Sequence, residues 1–174
     1  MDKKRIIEQM HELEGKIQYQ FNNIQLLASA MCVDKPYSYN KKNPEELANE
    51  CLATIGDVLL KSVLTIKFYN DGKKRKGTLT EEKQPYEENT TFYELVRKEK
   101  WIEYSYNKDY FYTDEQPEED KMPDPKHDPF VEAIIGAIYF DTEENYELVK
   151  DWIMTTLFPL LKKYKKVSKP SKEN

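Results

Sequence analysis

The sequence predicts a single all-helical domain, and three observations support this prediction. Apolar residues recur at intervals of three or four along most of the chain, which is the spacing of one helix face. Two segments, Asn43-Pro44 and Asp128-Pro129, combine a capping residue with a proline in the first turn of a helix. The 174 residues are enough for one domain with a buried core, and 39% hydrophobic content is too high for a disordered chain.

The helices follow from this spacing in order along the chain. Asn22 or Asn23 is expected to cap the second helix, and Pro159 to kink the last one. We expect the domain to span residues 1–165, with an acidic, proline-containing loop or insertion at 114–127, and to be followed by a basic flexible tail at 166–174. The predicted helices cover residues 6–17, 24–31, 43–69, 90–99, 130–140 and 143–165.

Composition excludes several classes of protein. Five glycines without an internal period exclude collagen-like and repeat architectures. No apolar run approaches the roughly 20 residues that span a bilayer, and the N-terminus does not resemble a signal peptide. The two cysteines, Cys32 and Cys51, are too few for a zinc site and indicate a reducing compartment. We therefore expect an intracellular, cytoplasmic protein that does not associate with membranes.

The net charge of −5 conceals an uneven distribution of charge. Residues 114–128 contribute seven acids and two lysines, whereas the basic residues cluster in the tail and at Lys73, Lys74, Arg75 and Lys76. The mean charge therefore does not exclude a polyanionic partner. The basic run at 73–76 has two interpretations, a solvated turn or a contact with nucleic acid.

Two predicted helices carry carboxylates in unusual surroundings. On the third, Asp57 follows a glycine inside an apolar run and shares one helix face with Glu46, Glu50 and Ala53. A glycine inside a helix costs about 0.8–1 kcal/mol relative to alanine, so Gly56 indicates the close approach of another backbone. Glu132 lies within a segment of almost wholly apolar residues. A buried carboxylate of this kind must be paired, protonated or bound to a cation.

Small residues offer a way to bring these carboxylates together. Helices packed through Gly56 and Gly136 would place Asp57 beside Glu132. Converging carboxylates are ligands for a hard cation such as Mg²⁺, which supports phosphodiester hydrolysis. The alternative interpretation is ordinary helix packing through glycines, with a buried acid that has a protein partner.

Both segments resemble motifs of the ribonuclease III family. Residues 49–59 (NECLATIGDVL) resemble its signature N-E-R-L-E-F-L-G-D-A-V-L, and residues 132–141 (EAIIGAIYFD) its second motif E-A-(L/I)-I-G-A-(I/V)-Y-L-D. The family's opening Y-x-F-x-(N/D)-x-x-L-L and closing E-P-L-L are similar to residues 19–27 (YQFNNIQLL) and 158–161 (FPLL). The resemblance covers about residues 10–165. It implies the all-helical ribonuclease III endonuclease-domain bundle and cleavage of double-stranded RNA with Mg²⁺ or Mn²⁺. It also implies a homodimer, or a heterodimer with another chain of this type.

The site residues can be carried over only in part. Asp57 and Glu132 match two of the family's four metal-holding acids, but Ala53 and Pro129 stand at the other two positions. Asp128 lies one position early; it either reaches the metal from Glu132's helix face or caps the helix, and we favour the cap. Glu50 matches a supporting rather than a ligating acid.

These departures leave three functional hypotheses. The first is a metal-dependent endoribonuclease with Asp57 and Glu132 as catalytic and metal-holding residues. The second is a degenerate domain that serves as an RNA-binding or protein-interaction subunit of a ribonucleoprotein assembly. The third is a helical interaction domain that matches the motifs by chance. No segment resembles the family's double-stranded-RNA-binding domain, so we expect weak, salt-dependent RNA binding or help from a partner.

Overall fold

A computed structural model describes residues 3–31, 49–105 and 129–165, and all regular secondary structure within them is helical. This confirms the predicted fold class. The α-helices are α1 (Lys3–Ile17), α2 (Ile24–Ala30), α3 (Glu50–Asn70), α4 (Lys76–Glu87), α5 (Asn89–Lys98), α6 (Phe130–Asp141), α7 (Tyr146–Trp152) and α8 (Phe158–Tyr164). A 3₁₀ turn covers Trp101–Tyr104, and a π-helical turn, Ile153–Leu157, joins α7 to α8.

Helix α6 is the centre of the domain. Its side chains are buried on nearly every face, because α3 packs along one side while α2, α5 and α7 cover others. Only Glu132, Tyr139 and Phe140 are not fully buried. A helix apolar all around is expected at such a position, and its sequence predicts its bounds to within one residue.

A buried carboxylate ties α6 to the segment between α1 and α2. Asp141, at the end of α6, accepts hydrogen bonds from the backbone N–H groups of Asn22 (2.9 Å) and Asn23 (2.7 Å) and from the Tyr19 hydroxyl (2.9 Å). Burial and the bond to Asp141 raise the pKa of Tyr19. Asn23, one of the two predicted capping residues, caps α2. Its side-chain oxygen accepts a hydrogen bond from the backbone N–H of Gln25. The opening and second motif segments are therefore joined through Asp141.

Helix α4 was missed in the sequence. No helix was predicted between residues 69 and 90, but the chain is helical from Lys76 onward. Gly77 and Pro85 are unfavourable inside a helix, and the segment has few apolar residues. Tertiary packing overrides these preferences, since Tyr86 is buried and stacks on Phe158 with ring centroids 5.0 Å apart.

The last predicted helix is divided by a π-helical turn. It begins after Asn145, whose side chain accepts a hydrogen bond from the backbone N–H of Leu148. The helix does not begin at Glu143 as predicted, because Glu143 and Glu144 adopt positive φ values of 54° and 63°. The kink was predicted at Pro159. The irregularity found is the wide turn immediately before it, where the Phe158 N–H bonds to the Ile153 carbonyl.

Several predictions fall on residues outside the described ranges. These are the helix start at Asn43-Pro44, the loop or insertion at 114–127, Asp128 as cap or ligand, and the tail at 166–174. Cys32 also lies outside, whereas Cys51 is free and exposed on α3. In the part of the chain that the structure describes, no helix is both long and apolar enough to cross a membrane.

Candidate functional site

The candidate site lies where α3 and α6 cross with their backbones in contact. A Cβ added at Gly56 would lie 1.8 Å from the carbonyl oxygen of Glu132. A Cβ added at Gly136 would lie 2.1 Å from the carbonyl oxygen of Leu52. Each glycine therefore admits the backbone of the opposite helix, and the predicted packing through small residues is confirmed.

This crossing places Asp57 and Glu132 beside one another. Asp57 follows the glycine that contacts the Glu132 backbone, and both side chains are partly buried. Burial raises the pKa of Glu132 to about 7, with the charge of Asp57 adding to the rise and that of Lys61 opposing it. The two acids predicted to converge therefore do so, and a negative charge on Glu132 is costly in these surroundings.

A lysine that the sequence reasoning missed completes the cluster. The Lys61 Nζ lies 2.7 Å from the Asp57 Oδ2, one helical turn along α3. This hydrogen bond and the charges of Asp57, Glu87 and Glu132 raise the pKa of Lys61, although burial opposes the rise. The only signal in the sequence was the i, i+4 spacing of Asp57 and Lys61, which is also that of an ordinary surface pair.

The other motif positions on α3 do not add a carboxylate. Ala53, at the position of a metal-holding acid in the resemblance, is buried in the core at 8% exposure. Glu50 is exposed at the first residue of α3. Thr54, which stands where the family has a phenylalanine, is exposed and donates its hydroxyl hydrogen bond to the Glu50 carbonyl.

The described residues at this crossing offer few ligands for the divalent metal that the resemblance implies. Within them, no group of three or more Asp, Glu, His or Cys side chains is arranged to hold a metal ion. Mg²⁺ can be held by one or two carboxylates completed by water and phosphate oxygens, but here a lysine ammonium already binds Asp57. The residues of this crossing therefore do not fit a metal site. Pro129 occupies the N-cap position of α6, and Asp128 lies outside the described residues.

The basic residues predicted to contact RNA lie at the turn between α3 and α4. Lys74, Arg75 and Lys76 are exposed, whereas Lys73 forms an ion pair with Glu82 at 2.7 Å. The Lys74 ammonium lies 5.6 Å from the centre of the exposed Tyr69 ring. The turn thus presents three exposed cations and one aromatic ring to solvent.

Two comparisons with known proteins both indicate similarity to ribonuclease III. A family model described as the ribonuclease III domain matches residues 50–143, a range that contains Asp57, Glu132 and Asp141. Ribonuclease 3 of Treponema succinifaciens is 33% identical over 152 residues, which are 83% of this chain and 40% of the relative. The chain thus spans about two fifths of the length of this curated relative.

Proposed function

This chain belongs to the ribonuclease III family, and from that premise we propose that it binds double-stranded RNA without hydrolysing it. The domain would serve as an RNA-binding subunit rather than as a nuclease. One observation carries this choice: the α3–α6 crossing keeps two carboxylates, while the third expected position is the buried Ala53. The chain thus has the fold of the family but not all of the acids that hold the metal in the family.

Duplex binding would use the exposed cations of the α3–α4 turn. A-form RNA is recognised mainly through its shape, its phosphates and its 2′-hydroxyl groups, and not through base sequence. Lys74, Arg75 and Lys76 supply positive charge for phosphates. Since few cations are involved, binding should be weak and should fall steeply as salt is added.

We propose a homodimer for the assembly, as the resemblance implies. Val58 is 62% exposed on α3, one turn beyond the exposed Thr54, so this helix presents an apolar side chain that an interface would cover. A heterodimer with another ribonuclease III-like chain is the alternative. Sedimentation of the purified chain, alone at micromolar concentration, separates the two, because a monomer would favour the heterodimer.

The second candidate function is Mg²⁺- or Mn²⁺-dependent cleavage of the duplex. The observation that favours it is the convergence of Asp57 and Glu132, the two acids that match the family's metal-holding positions. Asp128 would then be the further ligand. Hydrolase and endonuclease activity would follow from this candidate and not from the first.

The two candidates predict different results for one experiment. The purified chain and Glu132→Gln are incubated with an end-labelled RNA duplex in Mg²⁺ or Mn²⁺, and each sample is run on a native and a denaturing gel. We expect both proteins to retard the duplex and to leave its strands intact. Lys74→Glu combined with Lys76→Glu should weaken retardation, whereas Lys98→Glu, an exposed lysine on α5, should change it little.

Two outcomes would contradict the proposal. Strand cleavage by the wild type that disappears in Glu132→Gln would establish the nuclease. Absence of both binding and cleavage would leave a family fold that serves another purpose, such as protein interaction.

A further inference from the structure

We propose that the ammonium group of Lys61 takes the place of a divalent metal ion between Asp57 and Glu132. On this inference one positive charge of the chain itself offsets part of the negative charge of the carboxylate pair, and the α3–α6 crossing is stable without a metal. The inference deepens the proposed function and rests on it for its biological meaning, because it supplies the reason why the domain would bind RNA without cutting it.

Lys61 is held directly against Asp57. Its Nζ lies 2.7 Å from the Asp57 Oδ2, which is the distance of a charge-assisted hydrogen bond. The lysine lies one turn after Asp57 on α3, so the helix itself holds the two side chains on one face. A metal ion at Asp57 would have to displace this ammonium or repel it.

The backbone of Glu132 packs against α3 beside this ion pair. Its carbonyl oxygen, carbonyl carbon and Cα lie within 1.8, 2.7 and 3.1 Å of the point where a Cβ on Gly56 would be. The backbone of Glu132 is therefore fixed against α3 next to Asp57. Because Asp57 directly follows Gly56, the backbone of Glu132 lies beside the residue whose carboxylate binds Lys61.

The balance of charge at the crossing is less negative than a metal-binding site of this family would need. Two carboxylates with one lysine carry less excess negative charge than the four acids that the resemblance implies for a metal-binding site. The buried Ala53 adds none, and the described residues contain no group of three acids arranged to hold a metal ion. The charge of Glu87 also reaches Lys61, but Glu87 is paired with Lys83. Loss of an acid at residue 53 and the presence of a cation at residue 61 act in the same direction, since each lowers the attraction for a metal ion.

The chain contains a matched control for Lys61. Lys67, on α3, forms an i, i+4 ion pair of 2.6 Å with Asp71, the C-cap residue of the same helix. Lys61→Met and Lys67→Met therefore each remove a lysine from an i, i+4 Asp–Lys pair. Only the first leaves two carboxylates facing each other.

The test measures thermal unfolding of the full chain in EDTA and in millimolar Mn²⁺, together with Mn²⁺ binding by electron paramagnetic resonance. The wild type should bind no Mn²⁺ at this site and should show the same Tm in both buffers. Lys61→Met should unfold about 2 °C or more lower in EDTA, recover in Mn²⁺ and bind the ion. Lys67→Met should show no recovery, and Lys61→Arg should behave like the wild type.

Two results would overturn the inference. One is Mn²⁺ binding by the wild type that is lost in Glu132→Gln; the other is a Mn²⁺ response of Lys61→Met no larger than that of Lys67→Met. Neither the Tm nor the Mn²⁺ binding measurement involves RNA, so each of the two proposals can be contradicted without the other. Wild type that ignores Mn²⁺ but does not bind duplex would contradict only the function, and wild type that binds Mn²⁺ and duplex without cutting would contradict only the inference.

Discussion

Gly56→Ala is expected to destabilise the domain by roughly 3 kcal/mol or more, the largest effect expected for adding a methyl group at any glycine that the structure describes. The added Cβ would lie 1.8 Å from the Glu132 carbonyl oxygen and 2.7 Å from its carbonyl carbon, so α3 and α6 would have to separate. No flexible side chain can move aside, because the contact is with backbone. Thermal or urea unfolding monitored by circular dichroism measures the change.

Gly15→Ala is the control for this prediction. Gly15 lies in α1, and a Cβ at that position would meet nothing within 4 Å. Its substitution should leave stability unchanged or raise it by up to about 1 kcal/mol, since alanine is the better helix former. If the free energy of unfolding of Gly56→Ala lies within about 1 kcal/mol of that of the wild type, the close contact between the two helix backbones is wrong.

Asp141→Ala is expected to have the second largest effect, a loss of roughly 3 kcal/mol. Asp141 is buried at 7% exposure, and its carboxylate accepts from two backbone N–H groups and from the Tyr19 hydroxyl. Alanine would leave these donors without their acceptor, and the segment between α1 and α2 would lose its attachment to α6. Denaturant unfolding provides the free energy.

Tyr19→Phe separates the contributions within this network. It removes only the hydroxyl bond of 2.9 Å and leaves both backbone bonds to Asp141 in place. A loss of about 1 kcal/mol is therefore expected. Should Asp141→Ala cost no more than Tyr19→Phe, the backbone N–H bonds of Asn22 and Asn23 would not be the attachment that the structure indicates.

The sequence alone predicts the helices whose apolar pattern matches the way they pack in the fold. The apolar run of α6 and the interior glycine beside Asp57 are rare features with few explanations, and they led to the α3–α6 crossing before its geometry was known. Helix α4 could not be predicted in this way. Its stability comes from Tyr86 packing on Phe158, a residue far along the chain, and local preference at Gly77 and Pro85 opposes it.

Lys61 was missed for a different reason. Lysines four residues after an acid are common on exposed helix faces, where such pairs contribute little. Lys61 differs from such lysines because the charge of Glu132, on another helix, also acts on it. The local spacing of Asp57 and Lys61 gives no information about a residue so far along the chain. The signature motif specifies acids at these positions and says nothing about a cation beside them.

Anomalous diffraction from crystals soaked in Mn²⁺ shows whether Lys61 or a metal ion occupies the carboxylate pair, because it locates metal and side chains together. We predict no anomalous peak between Asp57 and Glu132, and a Lys61 Nζ within hydrogen-bond distance of Asp57, as in the 2.7 Å contact described here. A manganese peak ligated by Asp57 and Glu132, with Lys61 turned away, would contradict the account. It would restore metal-dependent cleavage as the leading function.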